Sequence, residues 1–554
     1  FDDDLLPSIV NNFKKDAIQE AETYGGRANL LMQAFTGKID WRDQVAYVND
    51  LQKITKADVV AFANKYLGDN YVAVYKKKGE RTNVEKIEKP AITPVETNAD
   101  KQSAFVKMIN DMPSTPVEPL FLDYNKDIQK SKLGKAEVLA VQNKDNDLFR
   151  LSFRYKIGTF NDLKMGLAAQ YIQFLGTDKK SAEQISKEFY KIASSFKVST
   201  GEDYTYVNIE GLQENFAAAV ALYEDLVSHV KLDEEALKSL KARMAKYRTD
   251  VKANRNQIMQ ALTSYALYGA KNKYNHVLSN AELEATSAAE LVDRLKKLND
   301  VEQTIIYYGP ASISELTKQL GKLHKVPAKF AKVPQAQQFK QETQTKNTVL
   351  FTDYEMVQAE TRWVRNTDTY NPAETTTIRV FNNYFGGSMG SLVFQTIRES
   401  KALAYSTYGF YKIPTKKEDK YYMLSYVGAQ ADKFQEAVAA MNELLTTMPE
   451  LPANFELAKE QLRKDIQTER ITQDDIIYSY LNAQQLGLKE DIRKSVYQNV
   501  DKITFKDIQA FHDKYLSKKP YTYVILASEK KLPKEELQKI GEFKKLSLEE
   551  LFGF

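Results

Sequence analysis

The chain has 554 residues, with 78 basic side chains against 74 acidic ones and a net charge of +4. At 63.3 kDa it is too long for one hydrophobic core, so about three folding units are expected. The near-neutral balance offers no clustered basic face for nucleic acid, and the absence of cysteine excludes disulfides, a thiol nucleophile and cysteine-ligated zinc. No apolar run approaches the roughly 18 residues that a membrane span requires, and no signal-peptide pattern is visible.

Near the N-terminus, residues 53–67 read KITKADVVAFANKYL. Thr55 followed by Asp58 is a helix-start signal of the capping-box type, and Tyr71–Tyr75 is expected to follow as a strand. Residues 86–118 are polar, carry four prolines and are expected to form an exposed connection. A new unit opens with a strand near Ala136. There Leu151, Phe153 and Tyr155 alternate with Arg150, Ser152 and Arg154, the pattern of a half-buried strand. Tyr155–Thr177 reads YKIGTFNDLKMGLAAQYIQFLGT. Ser287 and Glu290 give a second helix start, and Thr304–Tyr308 the strand after it. Residues 324–347, with two prolines and several Lys and Gln, are expected to be a second exposed connection. In Phe381–Tyr411 (FNNYFGGSMGSLVFQTIRESKALAYSTYGFY), Ser388 or Ser391 can cap a helix whose apolar side is Leu392, Val393, Phe394 and Ile397. Arg398 follows near its end, and Tyr405 begins an aromatic strand. Gly386 to Gly390 are expected to form a tight turn rather than an anion cradle.

Residues 502–516, KITFKDIQAFHDKYL, repeat residues 53–67 with nine of fifteen positions identical. The helix starts at 55, 287 and 504 are 232 and 217 residues apart, so the repeating unit is about 225 residues long. By this spacing the first copy is the end of a unit. With Phe1 in place of an initiator Met, roughly 320 residues are expected upstream. The expected division is an end-of-unit tail (1–85), a connection (86–134), a unit (135–323), a connection (324–347) and a last unit (348–554).

The last unit is similar to the C-terminal-domain signature of the M16 (insulinase/pitrilysin) metallopeptidases. It matches at Gly386, Gly387, Arg398, Glu399, Leu403, Ala404, Tyr405 and Ser406. In that family an Arg and a Tyr seven residues apart reach the substrate, and the resemblance assigns this role to Arg398 and Tyr405. The middle unit resembles the family's catalytic domains at Gly158-Thr159, Gly166-Leu167-Ala168 and Gly176-Thr177. It departs from them at the metal. Ala169 and Gln173 stand where the H-x-x-E-H histidines belong, and Ile172 replaces the glutamate. Only Asp250 is acidic near the expected third ligand, in Lys246–Asp250.

His229, His276, His324 and His512 are scattered, and none is expected to bind metal. His512 is expected at the surface, opposite Ala63 of the repeat. His324 is expected in a connection, and Glu224 and His229 lie on different faces of a helix.

The resemblance implies α+β units, each an antiparallel sheet with helices packed on one face. It implies no cofactor in this chain, and zinc in an upstream catalytic half with which the chain closes a chamber around a peptide substrate. An extracytoplasmic, periplasmic placement is expected over a cytoplasmic one. The alternative is an inactive M16-like subunit that binds peptide or a partner protein, but the retained Arg398 and Tyr405 argue for the peptidase. If the protein instead began near Phe1, the tail would expose an apolar edge.

Overall fold

The computed structural model describes residues 5–79, 103–113, 115 and 117–554; residues 86–102 of the proline-rich connection lie outside them. The first sheet contains β1 (Gln129–Leu133), β2 (Ala136–Gln142), β3 (Leu148–Tyr155), β4 (Ser195–Thr200), β5 (Thr205–Leu212) and β6 (Gln303–Gly309), in the order β1-β2-β6-β3-β5-β4. The second contains β7 (Thr348–Asp353), β8 (Gln358–Thr369), β9 (Ala404–Lys412), β10 (Lys420–Gln430), β11 (Thr522–Ala527) and β12 (Glu542–Lys545), in the order β12-β7-β11-β8-β10-β9. The α+β class holds. The sheets are mixed, because β2 runs parallel to β6 and β7 parallel to β11. In both, the strand after the capping-box helix is an interior one, parallel to one neighbour and antiparallel to the other.

The repeated start signals all form. Thr55 with Asp58, Ser287 with Glu290 and Thr504 with Asp507 make reciprocal capping boxes at the helices Lys56–Tyr66, Ala288–Lys296 and Phe505–Tyr515. Each satisfies two N-terminal backbone or side-chain groups at once.

One face of each sheet is covered by helices of its own unit, and these form the two largest cores. Helices are also found on the other face, and they are exchanged between units. Helix Arg255–Tyr268, from the middle unit, lays Ile258, Met259, Leu262 and Ala266 on Leu350, Val364, Leu424, Val524 and Leu526 of the second sheet. Helix Asp475–Gln485, from the last unit, lays Ile477 and Leu481 on Leu139, Val141, Ile306 and Tyr308 of the first. This explains why β3 is not half-buried: Ser152 and Arg154 are buried as well. Ser152 Oγ bonds Asn208, and the Arg154 guanidinium lies 3.5 Å from the Tyr204 ring centroid.

The 324–347 segment has no helix or strand and most of it is exposed, but it is pinned at a few buried points. Gln341 and Gln344 are buried because the backbone they cross needs partners there. Gln344 accepts from the Asn366 backbone N–H at 2.7 Å and donates to Ala266 O, while Gln341 accepts from the Lys420 N–H.

The tail is four helices, Leu5–Glu22, Tyr24–Gly37, Trp41–Leu51 and Lys56–Tyr66. Ile18 packs against Leu148, Ala193 and Leu212, and the Arg150 guanidinium joins Glu22 to Asp474 and Gln473. The expected strand Tyr71–Tyr75 does not form; no described strand lies beside it, and these residues are exposed.

Leu262 is fully buried on a sheet of the other unit. Leu262→Ala should cost about 2–5 kcal/mol in urea unfolding. Hydrogen exchange should rise first in β7 and β11 rather than in the middle sheet.

Candidate functional site

The candidate site lies where the helical layer of the last unit meets the free edge strand β9. Helix Thr375–Phe385 ends at Gly386, and the chain turns back on β9. A Cβ on Gly386 would come within 2.4 Å of Gly409 N, so glycine is required for this backbone-to-backbone approach. Asn382 fixes it, accepting from Tyr411 N–H at 2.7 Å and donating to Tyr411 O at 3.0 Å. The glycines therefore form a packed turn against β9.

The segment Phe394–Ser400 is a π-helical turn, a form that is rare and concentrated at functional sites. Ile397 anchors it in the core. Ala402 then takes a left-handed conformation (φ 48°), which stops the turn and lets Leu403 and Ala404 re-enter the core. The next strand residue, Tyr405, is consequently thrown outward and is 79% exposed. The Arg398 guanidinium is sandwiched, 4.6 Å from the Tyr405 ring centroid and 4.7 Å from that of Phe394. Its ion pair is a 3.4 Å contact with the neighbouring Glu399. Two rings thus hold the planar cation near the surface while its donors stay available. Phe394 is a site residue that the sequence reading assigned only to the apolar face; its i, i+4 spacing from Arg398 was the available signal.

The degenerate positions of the middle unit do not fit a metal. Ala169 lies on the short helix Lys164–Tyr171, while Ile172 and Gln173 belong to the 3₁₀ turn that follows. Ala169 and Ile172 are 2% and 1% exposed within the apolar core. Gln173, a neutral amide, is exposed. Asp250 is ion-paired to Lys246 at 2.8 Å on an exposed helix surface. Among the described residues no three His, Asp or Glu side chains come together as a metal site. Ala169, Ile172 and Gln173 offer zinc neither an imidazole nor a carboxylate.

Two histidines differ from expectation. His512 is fully buried rather than at the surface, because the Phe505–Tyr515 helix packs into the core through Ile508, Phe511 and Tyr515 as well. His324 is also buried, stacked 4.2 Å from Phe153, with Nδ1 2.8 Å from Glu224 and Nε2 2.9 Å from Gln303. It therefore pins the start of the 324–347 segment. His229 is exposed beside Asp225, and His276 packs edge-on to Phe160 and Phe339.

His512 Nε2 bonds Leu444 O at 3.1 Å, and Nδ1 lacks a hydrogen bond, the nearest carboxylate being Asp513 at 3.5 Å. Burial holds the His512 pKa below the usual 6.5. The unfolded chain then binds the proton more readily, so this contribution to stability is complete above pH 6.5 and is lost as pH falls below it. The unfolding free energy from urea titrations should drop below pH 6.5, by at most about 1.4 kcal/mol per pH unit from this group, and less steeply in His512→Leu. For the metal, the triple change Ala169→His, Ile172→Glu, Gln173→His should not recruit stoichiometric zinc by elemental analysis. It should instead destabilise the chain by placing polar groups in the core.

Comparisons with known proteins agree with this architecture. The family model of the peptidase M16 inactive domain matches residues 298–462, and that of insulinase (peptidase family M16) matches residues 168–281. An uncharacterized zinc protease of Bacillus subtilis, YmxG, is 26% identical over 316 residues, covering 53% of this chain and 71% of its own. Among solved structures, a peptidase M16 inactive domain from Pseudomonas fluorescens aligns with a TM-score of 0.57 at 16% identity, covering 72% of this chain and 98% of that one. The periplasmic protease PqqL of Escherichia coli aligns at 0.58 with 11% identity, covering 87% of this chain and 52% of its own. A mutant of the ferredoxin protease FusC, solved with Arabidopsis ferredoxin, aligns at 0.58 with 13% identity, covering 92% and 59%. The chain spans between half and two thirds of these last two proteins. With both family models matched in tandem and a fold shared with an M16 inactive domain, this chain belongs to the M16 insulinase-like family and carries its inactive domain.

Proposed function

We propose that this chain is the non-catalytic half of an M16 zinc metalloendopeptidase. It closes a peptide-degrading chamber opposite a zinc-bearing half, and Arg398 and Tyr405 contact the bound peptide. The observation that carries this reading is the presentation of Arg398. Arg365, for comparison, donates to the backbone carbonyls of Pro520 and Gln344. Arg398 is instead held by two ring faces at the surface, next to an outward-facing phenol.

In this reading the other half would hold zinc, which would supply an activated water. The residues of this chain bind and orient the peptide. Arg398 donates its planar fork to peptide carbonyls, and Tyr405 donates one O–H. Both are prepositioned by the π-turn and the Ala402 kink, so little ordering remains at the moment of binding. The paired half is part of the same polypeptide or a separate subunit. Substrates are peptides and proteins, in line with the ferredoxin complex of the structurally similar protease FusC. Extracytoplasmic placement is part of the proposal and is supported by the likeness to periplasmic PqqL. No described helix is long and apolar enough to cross a membrane.

The test uses the assembled two-half enzyme and a quenched-fluorescent peptide. Arg398→Ala should lower kcat/KM roughly 10- to 100-fold, the loss of charge-assisted hydrogen bonds, and Tyr405→Phe about 3- to 10-fold. Thermal unfolding should be nearly unchanged in both. Wild-type turnover in both variants removes the substrate-contact roles. An assembly that binds peptide without cleaving it identifies the chain as part of a binding protein instead.

A further inference from the structure

Helix Asp475–Gln485 uses one side, with Ile477 and Leu481, to cover the middle sheet. Its opposite side, with Asp475, Ser479 and Asn482, borders a cavity of about 510 Å³. Arg379 of helix Thr375–Phe385 and Arg493 of helix Ile492–Asn499 line the same cavity from the last unit. Tyr124, ahead of the first sheet, adds to the lining and places its hydroxyl 3.0 Å from Ser479 Oγ. None of these residues belongs to the Arg398 and Tyr405 site.

Three guanidinium groups and three carboxylates line the cavity, Arg379, Arg470 and Arg493 with Glu469, Asp475 and Asp491, but they do not pair one to one. Asp491 is taken up by Arg493, accepting from Nε at 3.0 Å and from Nη2 at 2.6 Å. Arg493 is 3% exposed, and its buried Nη1 makes no hydrogen bond; Glu469 Oε2 lies 3.4 Å from it. Arg379 is half-buried and has no hydrogen bond or ion pair with any described residue. Burial draws its pKa down, and Glu469 and Asp491 act on it only from a distance. It remains a cation, because a guanidinium does not lose its proton in proteins. Arg470 donates to Gln467 O and Glu469 O rather than to a carboxylate. Desolvated donors of this kind are unfavourable until an acceptor reaches them.

We propose that this cavity is a binding site for a small organic carboxylate, held by Arg379 and by Nη1 of Arg493. The planar fork of a guanidinium matches the two oxygens of a carboxylate, and such a pair strengthens where water is excluded. The acids select for a single negative charge: Glu469 and Asp475 border the same space and repel a phosphate dianion. Ile471, Leu486 and Leu488 give the cavity an apolar wall, and about 510 Å³ is far more than a bare inorganic anion fills. The ligand therefore carries an apolar group beside its carboxylate. Two sources share this chemistry, a free apolar amino acid, whose ammonium would face Glu469 and Asp475, and the C-terminal residue of a short peptide. Bound there, the ligand bridges the exchanged helix Asp475–Gln485 to the helices of the last unit. The site is independent of the proposed function, since it needs neither zinc nor a second half.

The test is isothermal titration calorimetry on the chain, near neutral pH and at low salt, with leucine, N-acetyl-leucine, leucinamide and inorganic phosphate as probes. N-acetyl-leucine should bind with a Kd of about 1 mM or tighter, and leucinamide, which lacks the carboxylate, at least about tenfold more weakly. Arg379→Gln should weaken N-acetyl-leucine at least about tenfold, and Arg379→Lys, which keeps the charge without the fork, about three- to tenfold. The Lys variant decides the matter if the Gln variant does not fold. Lys464→Gln, on an exposed helix surface outside the cavity, should change the affinity less than about twofold. Leucine binding more tightly than N-acetyl-leucine supports the inference and makes the source a free amino acid; the reverse supports it and makes the source a peptide end. Phosphate binding as tightly as N-acetyl-leucine overturns the inference. So does the absence of binding by either leucine compound at about 10 mM, or full affinity in the Arg379 variants.

Discussion

A β-sheet has two faces, and in this chain the second face of each sheet is covered by a helix from the other unit. Ile258 and Leu262 sit on the last sheet, while Ile477 and Leu481 sit on the middle one. Neither unit can bury its sheet alone. An uncovered face would leave residues such as Leu350, Val364 and Val524, or Leu139 and Ile306, against water, at about 25 cal/mol for each Å² of apolar surface. The polar connections follow from this exchange. Arg362 reaches Met259 O and Thr263, and Tyr478 reaches Ser152. Gln341 and Gln344 tie the 324–347 crossing to strands of the last unit.

What was legible in the sequence was what is local. Capping boxes need only positions i and i+3, and all three were readable with their following helices. Strand β3 was readable from its alternation, but the burial of Ser152 and Arg154 was not, because the covering helix lies more than 300 residues away. The same applies to His324. Its partners Glu224 and Gln303 lie 100 and 21 residues from it, and a polar, proline-bearing context disguised a buried stacked imidazole. At the candidate site, the motif placed Arg398 and Tyr405 in one segment. It did not reveal that Phe394 supplies a second ring, or that Ala402 turns the backbone so that the two meet.

The middle unit packs apolar side chains where the resemblance would place zinc ligands. Gly158 still allows the chain to approach the Glu202 backbone, where a Cβ would come within 2.2 Å. Helix Lys164–Tyr171 still contributes Met165, Leu167 and Ala168 to the core. Once imidazole and carboxylate are absent, the same positions serve packing: Ala169 and Ile172 fill space, and their burial needs no compensating partner. The last unit has kept the opposite arrangement, in which the Gly386 turn and the π-helical segment carry a cation and a phenol outward at the cost of irregular backbone.

The exchanged helices also bear on motion. Rotating one unit away from the other would peel Arg255–Tyr268 and Asp475–Gln485 from their sheets together, exposing two apolar surfaces for a single displacement. Such coupled exposure makes internal hinging far stiffer than a single loop connection would, so the two sheets travel as one lever. The 135–554 region therefore passes a displacement from end to end instead of absorbing it at an internal hinge.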